Sequence, residues 1–198
     1  MVKDPLKVIE QGNCRIEVFC DADCCNPRED FSNIARLALE VGRELSIHEI
    51  DDEDYAPFVK NPKNAPMFVF VVYGYSHSGI SLGLNGNAYP FNDRWDAGVA
   101  GYLTIDKETL RKEFPNLKNA SWKELFKKAN EVAEQEIRDL NSWLSGSIYG
   151  VCVTNTETER DEWCGGYYEG IEKSDIADLL DAVEIPQEVQ DQIEEKVY

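Results

Sequence analysis

Residues 14–20 open the readable pattern. Cys14, Ile16, Val18 and Cys20 alternate with Arg15, Glu17 and Phe19, the two-residue period of a strand with one buried face. A turn-rich stretch, Asp21-Ala-Asp-Cys-Cys-Asn-Pro-Arg28, ends it. Phe31, Ile34, Leu37, Ala38 and Val41 then recur at helical spacing, with Gly42 close behind, so a helix is expected over 31–41. Residues 45–50 read as a second strand. The acidic run 51–54 with Pro57, Pro62 and Pro66 reads as a surface connection holding one helical turn around Tyr55, Phe58 and Val59. Residues 67–73 are β-branched and aromatic without alternation, the mark of a central strand. A long loop is expected from Gly74 to Gly98, packed through Tyr89, Phe91 and Trp95, before strand character resumes over 99–105.

The firmest element follows. Ser121 and Glu124 have capping-box spacing, and behind them Leu125, Phe126, Ala129, Val132, Ala133, Ile137, Leu140 and Leu144 form one apolar stripe that Gly146 ends. Residues 147–154 and 162–168 read as an antiparallel hairpin, with Gly165-Gly166 as a bulge. Ser174 opens an acidic helix that turns Ile176, Leu179, Leu180 and Val183 inward, and Pro186 suits the start of a second short one. Strands and helices do not alternate as β-α-β units. The fold class expected is α+β, a mainly antiparallel sheet packed by helices, with an acidic C-terminal helical segment. The 198 residues show no linker, so a single domain is expected, a core over 14–170 and an acidic tail over 171–198.

Charge changes this picture most. Thirty-eight acids against 20 bases give a net charge of −18. From 155 to 198 there are 14 acids and three bases, so more than half of the net charge lies in that segment. A field of this sign repels nucleic acid and anionic lipid, which leaves neither as a direct partner. No apolar run reaches the roughly 20 residues of a membrane helix, and the first residues contain no apolar leader; the expectation is a cytoplasmic protein.

Candidate chemistry is sparse. Six cysteines without a leader are expected as free thiols, and Cys20, Cys24 and Cys25 lack the paired spacing of a zinc site. His77, flanked by Ser76 and Ser78, is the one histidine in a candidate reactive loop; its plain reading is a residue that ties down backbone. Asp21 and Asp23, or Asp93 and Asp96, are carboxylates able to hold a divalent cation beside it, though Asp-rich turns are more often caps. No nucleotide-binding fingerprint is present, and no cofactor or metal is expected.

Some of these residues form a longer pattern. Tyr75-Ser-His-Ser-Gly-Ile80, Pro90-Phe91, Trp95-Asp-Ala-Gly98 and Gly101-Tyr102, with the 21–33 turn, Leu144-Ser-Gly146, Ile148-Tyr-Gly150 and 163–168, resemble a family of proteins from bacteriophages, plasmids and integrative elements. The resemblance spans roughly 15–170 and implies a mobile-element origin without an activity. Two departures, Ser76 in place of the family's aspartate and Asp93-Arg94 in place of its cysteine, weaken a shared catalytic centre at Tyr75, His77, Ser78, Trp95 and Asp96. Two functions are therefore expected to compete. One is an inhibitor of a host defence nuclease, restriction or CRISPR, that binds a basic nucleic-acid-binding partner through Asp175, Asp178, Asp181, Glu184, Glu188 and Asp191. Their three-to-four-residue spacing would line a helix with carboxylates. The other is a small metal-dependent enzyme centred on the His77 loop.

Overall fold

The computed structural model describes residues 4–50, 55–84, 91 and 95–198. Among them run strands β1 (Lys7–Gln11), β2 (Cys14–Cys20), β3 (Arg36–Val41), β4 (Leu45–His48), β5 (Met67–Ser76), β6 (Ile80–Leu84), β7 (Ala97–Asp106), β8 (Ile148–Asn155) and β9 (Arg160–Tyr168). The helices are α1 (Pro27–Asp30), α2 (Ala56–Lys60), α3 (Lys107–Glu113), α4 (Trp122–Ser145), α5 (Ala177–Ala182) and α6 (Gln187–Gln190). Both sheets are antiparallel and both carry helices, which makes the protein α+β. Where one core was expected the residues gather into two units: Met1–Glu29 with Gly146–Tyr198, and the continuous stretch Asp30–Ser145.

The discontinuous unit holds the sheet β1-β2-β8-β9. The alternation read in 14–20 is real: Cys14, Ile16 and Val18 are buried, with Val151 and Val153 beside them on β8. The segment 171–198 covers this face and is no tail. Ile171, Ile176, Leu180, Val183, Ile185, Ile193 and Val197 are all buried in the same core. Each such aliphatic side chain, fully removed from water, contributes about 1.5–3 kcal/mol of transfer free energy. Backbone bonds close the segment on itself, Ile171 N–H to the Tyr198 carbonyl and Val197 N–H to that of Ile171. Buried Asn155 ties it to the β8–β9 hairpin, donating to the Val183 and Glu184 carbonyls and accepting from the Glu157 and Thr158 N–H groups. The expected bulge at Gly165-Gly166 is present as a register shift opposite Tyr149 and Val151, where Gly166 N–H meets the Asp21 carboxylate at 2.9 Å.

The continuous unit holds the sheet β4-β3-β7-β5-β6 with α4 across one face. Ser121 and Glu124 form the expected box, each accepting the other's backbone N–H. Ala129, Ala133, Ile137 and Leu140 are buried, and Trp122 stacks on Phe126 at 5.1 Å against Phe68. Two polar residues of α4 clamp the sheet. Glu136 accepts the N–H groups of Ile34 and Ala35, and the Asn141 amide both donates to and accepts from the Leu82 backbone at 2.8 Å.

The expected helix over 31–41 is instead β3. Leu37, Leu39 and Val41 are buried at a two-residue period, and pairing with β7 on one side and β4 on the other overrides the helical spacing. The expected loop from 74 is also partly sheet, because β5 runs on to Ser76 and returns as β6. The helical turn at α2 and the strands at β4, β5 and β7 stand as read, although β7, not β5, lies in the middle of the sheet.

Candidate functional site

The carboxylates singled out from the sequence do not share one helix. Asp175 lies in a 3-10 turn (Lys173–Ile176), Asp178 and Asp181 on α5, Glu188 on α6 and Asp191 just beyond it. Between the helices the chain reverses: Glu184 takes φ 59°, a left-handed conformation that ends α5, and Pro186 resets the direction. The apolar residues 183 and 185 on either side must both reach the core, which a continuous helix would forbid. The second short helix expected from Pro186 is present as α6, and the carboxylates form a broken ridge across the two helices and the turns beside them.

Several of these groups also serve the fold. The Asp175 carboxylate accepts Glu172 N–H at 2.7 Å, Asp181 accepts from Gln190, Asp191 from Gln187, and Glu184 pairs with Arg160. Exposure is what the group shares. All 14 acidic residues between 146 and 198 are exposed. By sequence the discontinuous unit carries 20 acids and seven bases, a net charge of −13, against −5 for the continuous unit. Carboxylates on an open surface with so few cations among them sum to a potential that extends about a Debye length, roughly 8–10 Å at physiological salt.

The His77 loop lies in the continuous unit. The β5–β6 turn presents His77, two-thirds exposed, whose Nδ1 stands 2.9 Å from Asp96 Oδ2. Asp96 is itself held where β7 begins, its carbonyl accepting Ser76 N–H at 2.9 Å. Tyr75 stacks on Phe91 at 5.7 Å and lies 6.4 Å from the His77 ring. Beside them is an open groove of about 370 Å³ bordered by Glu40, Ser76, Asp96 and Trp95, whose side chain is 95 % exposed. Phe91 thus packs as expected, while Trp95 stands at the surface; Tyr89 and Asp93 lie outside the described residues. The pair fixes the imidazole through one ring nitrogen and leaves the other to solvent, an arrangement able to move a proton. Ser78 makes no hydrogen bond to His77, and no group of three or more His, Cys, Asp or Glu is placed to share a metal ion among the described residues. Asp21 and Asp23 belong to the other unit, where the Asp21 carboxylate accepts Asp23 and Gly166 N–H groups.

All six cysteines are free. Burial pushes the Cys14 thiol up to about 11, and raises Cys24 and Cys152 as well, which favours the protonated thiol at all three.

One feature escaped the sequence. Trp163 on β9 lies across Gly150 of β8 and pairs with Phe19 of β2 at 5.7 Å. The signal was available, since Phe19 and Trp163 occupy positions in the outward register of otherwise alternating strands. No helix among the described residues is long and apolar enough to cross a membrane. Comparison with models of protein families, with curated proteins and with solved structures finds no match.

Proposed function

We propose that this is a mobile-element accessory protein that binds a basic, nucleic-acid-binding partner such as a host defence nuclease, its acidic surface standing in for the phosphate backbone. The observation that carries the reading is the placement of 14 acidic residues at exposed positions on one 82-residue unit of net charge −13. The charge is patterned by turns and short helices, so the mimicry is one of potential and not of phosphate spacing. Double-stranded DNA presents one charge per roughly 1.7 Å of axis, and a channel that recognises it is lined with Lys and Arg. Such a channel would draw in this surface at long range. The motif resemblance supports a mobile-element origin, in which an inhibitor of restriction or CRISPR nucleases has an evident use, in the cytoplasm of the host cell.

The test is inhibition of restriction and CRISPR nucleases across a salt series. Asp178→Asn, Glu188→Gln, Glu194→Gln and Glu195→Gln together remove charge from side chains that the fold's own hydrogen bonds do not use among the described residues. The parent should inhibit less as salt rises, and the fourfold variant should associate more slowly at low salt with an unchanged circular dichroism spectrum. Equal potency of the two, insensitive to salt, would sink the reading.

A second reading keeps one observation in its favour, the His77–Asp96 hydrogen bond beside an open groove. It is a small metal-dependent enzyme centred on the His77 loop. Loss of a measured hydrolytic activity in His77→Ala, with nuclease inhibition untouched, would select it.

A further inference from the structure

The sheet β1-β2-β8-β9 has two faces, and one of them lines the core. Cys14, Ile16 and Val18 point into the core, so Arg15, Glu17 and Phe19 point the other way. The register carries that second face across all four strands. Val8 stands opposite Glu17, Glu17 opposite Cys152 and Cys152 opposite Trp163; the next row is Glu10, Arg15, Thr154 and Asp161. Leu6, Val8 and Trp163 are 52 %, 42 % and 51 % exposed, large apolar side chains that share a sheet with a fully formed core on its reverse.

The aromatic part of this face is fixed in place. A Cβ built on Gly150 would fall 2.3 Å from a Trp163 ring carbon, so the indole rests on bare backbone, with Phe19 at 5.7 Å on one side. A tryptophan packed on backbone in this way gives up part of its rotamer freedom before any partner arrives, which is the property of a binding anchor. An exposed apolar edge strand is otherwise a liability for association.

Charge decides between occupants. The face carries Glu10, Glu17 and Asp161 against Arg15, which Glu17 engages at 2.8 Å and Glu10 at 3.6 Å. The unit that contains it has a net charge of −13. A second copy would bring an equal charge against this one, and an anionic membrane would be repelled. We propose that this face is the anchoring half of the interface, taking a segment of the basic partner that presents apolar side chains among lysines or arginines. The inference rests on the acidic-partner reading and adds to it the place where binding energy is concentrated, with charge steering the approach and Trp163, Phe19, Val8 and Leu6 holding the complex.

Two synthetic peptides of equal length and charge test this on the full chain, one of Leu and Lys and one of Ser and Lys. Both should bind at low salt. The Leu/Lys peptide should bind at least about tenfold more tightly, since burying even one leucine is enough for that factor. It should also shift the backbone amide signals of Val8, Phe19, Cys152 and Trp163. Leu6→Gln with Val8→Thr, changes on an exposed edge, should abolish the difference between the peptides and leave the Ser/Lys affinity as it was; Trp163→Gln should do the same. If both peptides bind equally well, the anchoring face is wrong while the charge reading stands. If neither binds at low salt, the charge reading itself fails, and the inference with it. Self-association of the full chain that the Leu6/Val8 variant disperses would give the face to a second copy and overturn the proposed partner.

Discussion

Gly150→Ala isolates the contact on which the exposed aromatic face depends. The added methyl carbon would lie 2.3, 2.4 and 3.3 Å from three atoms of the Trp163 ring. Carbon atoms in contact settle at about 3.5–4.0 Å, so the indole must lift by more than about 1 Å. Overpacking of this kind costs about 1–3 kcal/mol. Because Trp163 is half exposed it has room to swing outward, which puts the expected loss toward the lower end; the weakened Phe19 pairing adds about 0.5–1.5 kcal/mol. The backbone does not oppose the change, since Gly150 does not adopt a positive φ. The same substitution made on top of Trp163→Ala should therefore be neutral or stabilising by up to about 1 kcal/mol, through the reduced freedom of the unfolded chain. Urea unfolding followed by circular dichroism gives all four corners of the cycle. An equal loss in the two backgrounds would show that the ring is not what Gly150 accommodates, and the pre-set platform would fall with it.

Other outcomes are expected from the same structure. Leu140→Ala, at a fully buried position of α4, should cost about 2–5 kcal/mol in urea unfolding; a loss under about 0.5 kcal/mol would mean that the stripe does not face the sheet. The Cys14 thiol, raised by burial from 9.0 to about 11, favours its protonated form in the folded state. Its contribution, at most about 2–3 kcal/mol, is complete below pH 9 and disappears as pH climbs through 11, and Cys14→Ala should flatten that alkaline limb of the stability profile. The Glu124 carboxyl is held below its ordinary range by hydrogen bonds from the Ser121 side chain and N–H. Its contribution is present above the unfolded value and lost as pH falls through the folded one, so Glu124→Gln should make thermal stability less dependent on acid pH.

What the sequence made legible was local. The capped helix α4, the hairpin β8–β9 and strand β2 each carry their period and their punctuation within a short window. β3 was misread because Leu37 and Val41 satisfy a helical spacing as well as a two-residue one; Leu39, equally buried, settles the period only when β7 is there to pair with it. The long loop was misread because Gly74 and Gly79 look like breakers. In the structure a side chain at 74 would strike Val41 at 2.7 Å, so that glycine continues a strand where it packs closely. The acidic segment had its charge and inward residues read correctly, but Asn155 and the reversal at Glu184, both long-range matters, decide that it is core and not a helical ridge. At the candidate site, His77 and Asp96 were named without any sequence reason to expect them 2.9 Å apart. The apolar face of the other sheet went unread because its residues come from three distant stretches of chain.

The split composition of the discontinuous unit has a consequence for biosynthesis. β2 lies between β1 and β8, yet β8 leaves the ribosome only after the entire stretch Asp30–Ser145 has been made. At about 5–20 residues per second the wait is on the order of ten seconds. During it the hairpin β1–β2 exposes Ile16 and Val18 on one side and Leu6, Val8 and Phe19 on the other, with an unpaired strand edge beside them. The nascent chain is at its most vulnerable to aggregation or chaperone capture in this interval. The continuous unit, whose sequence emerges without interruption, has no such wait.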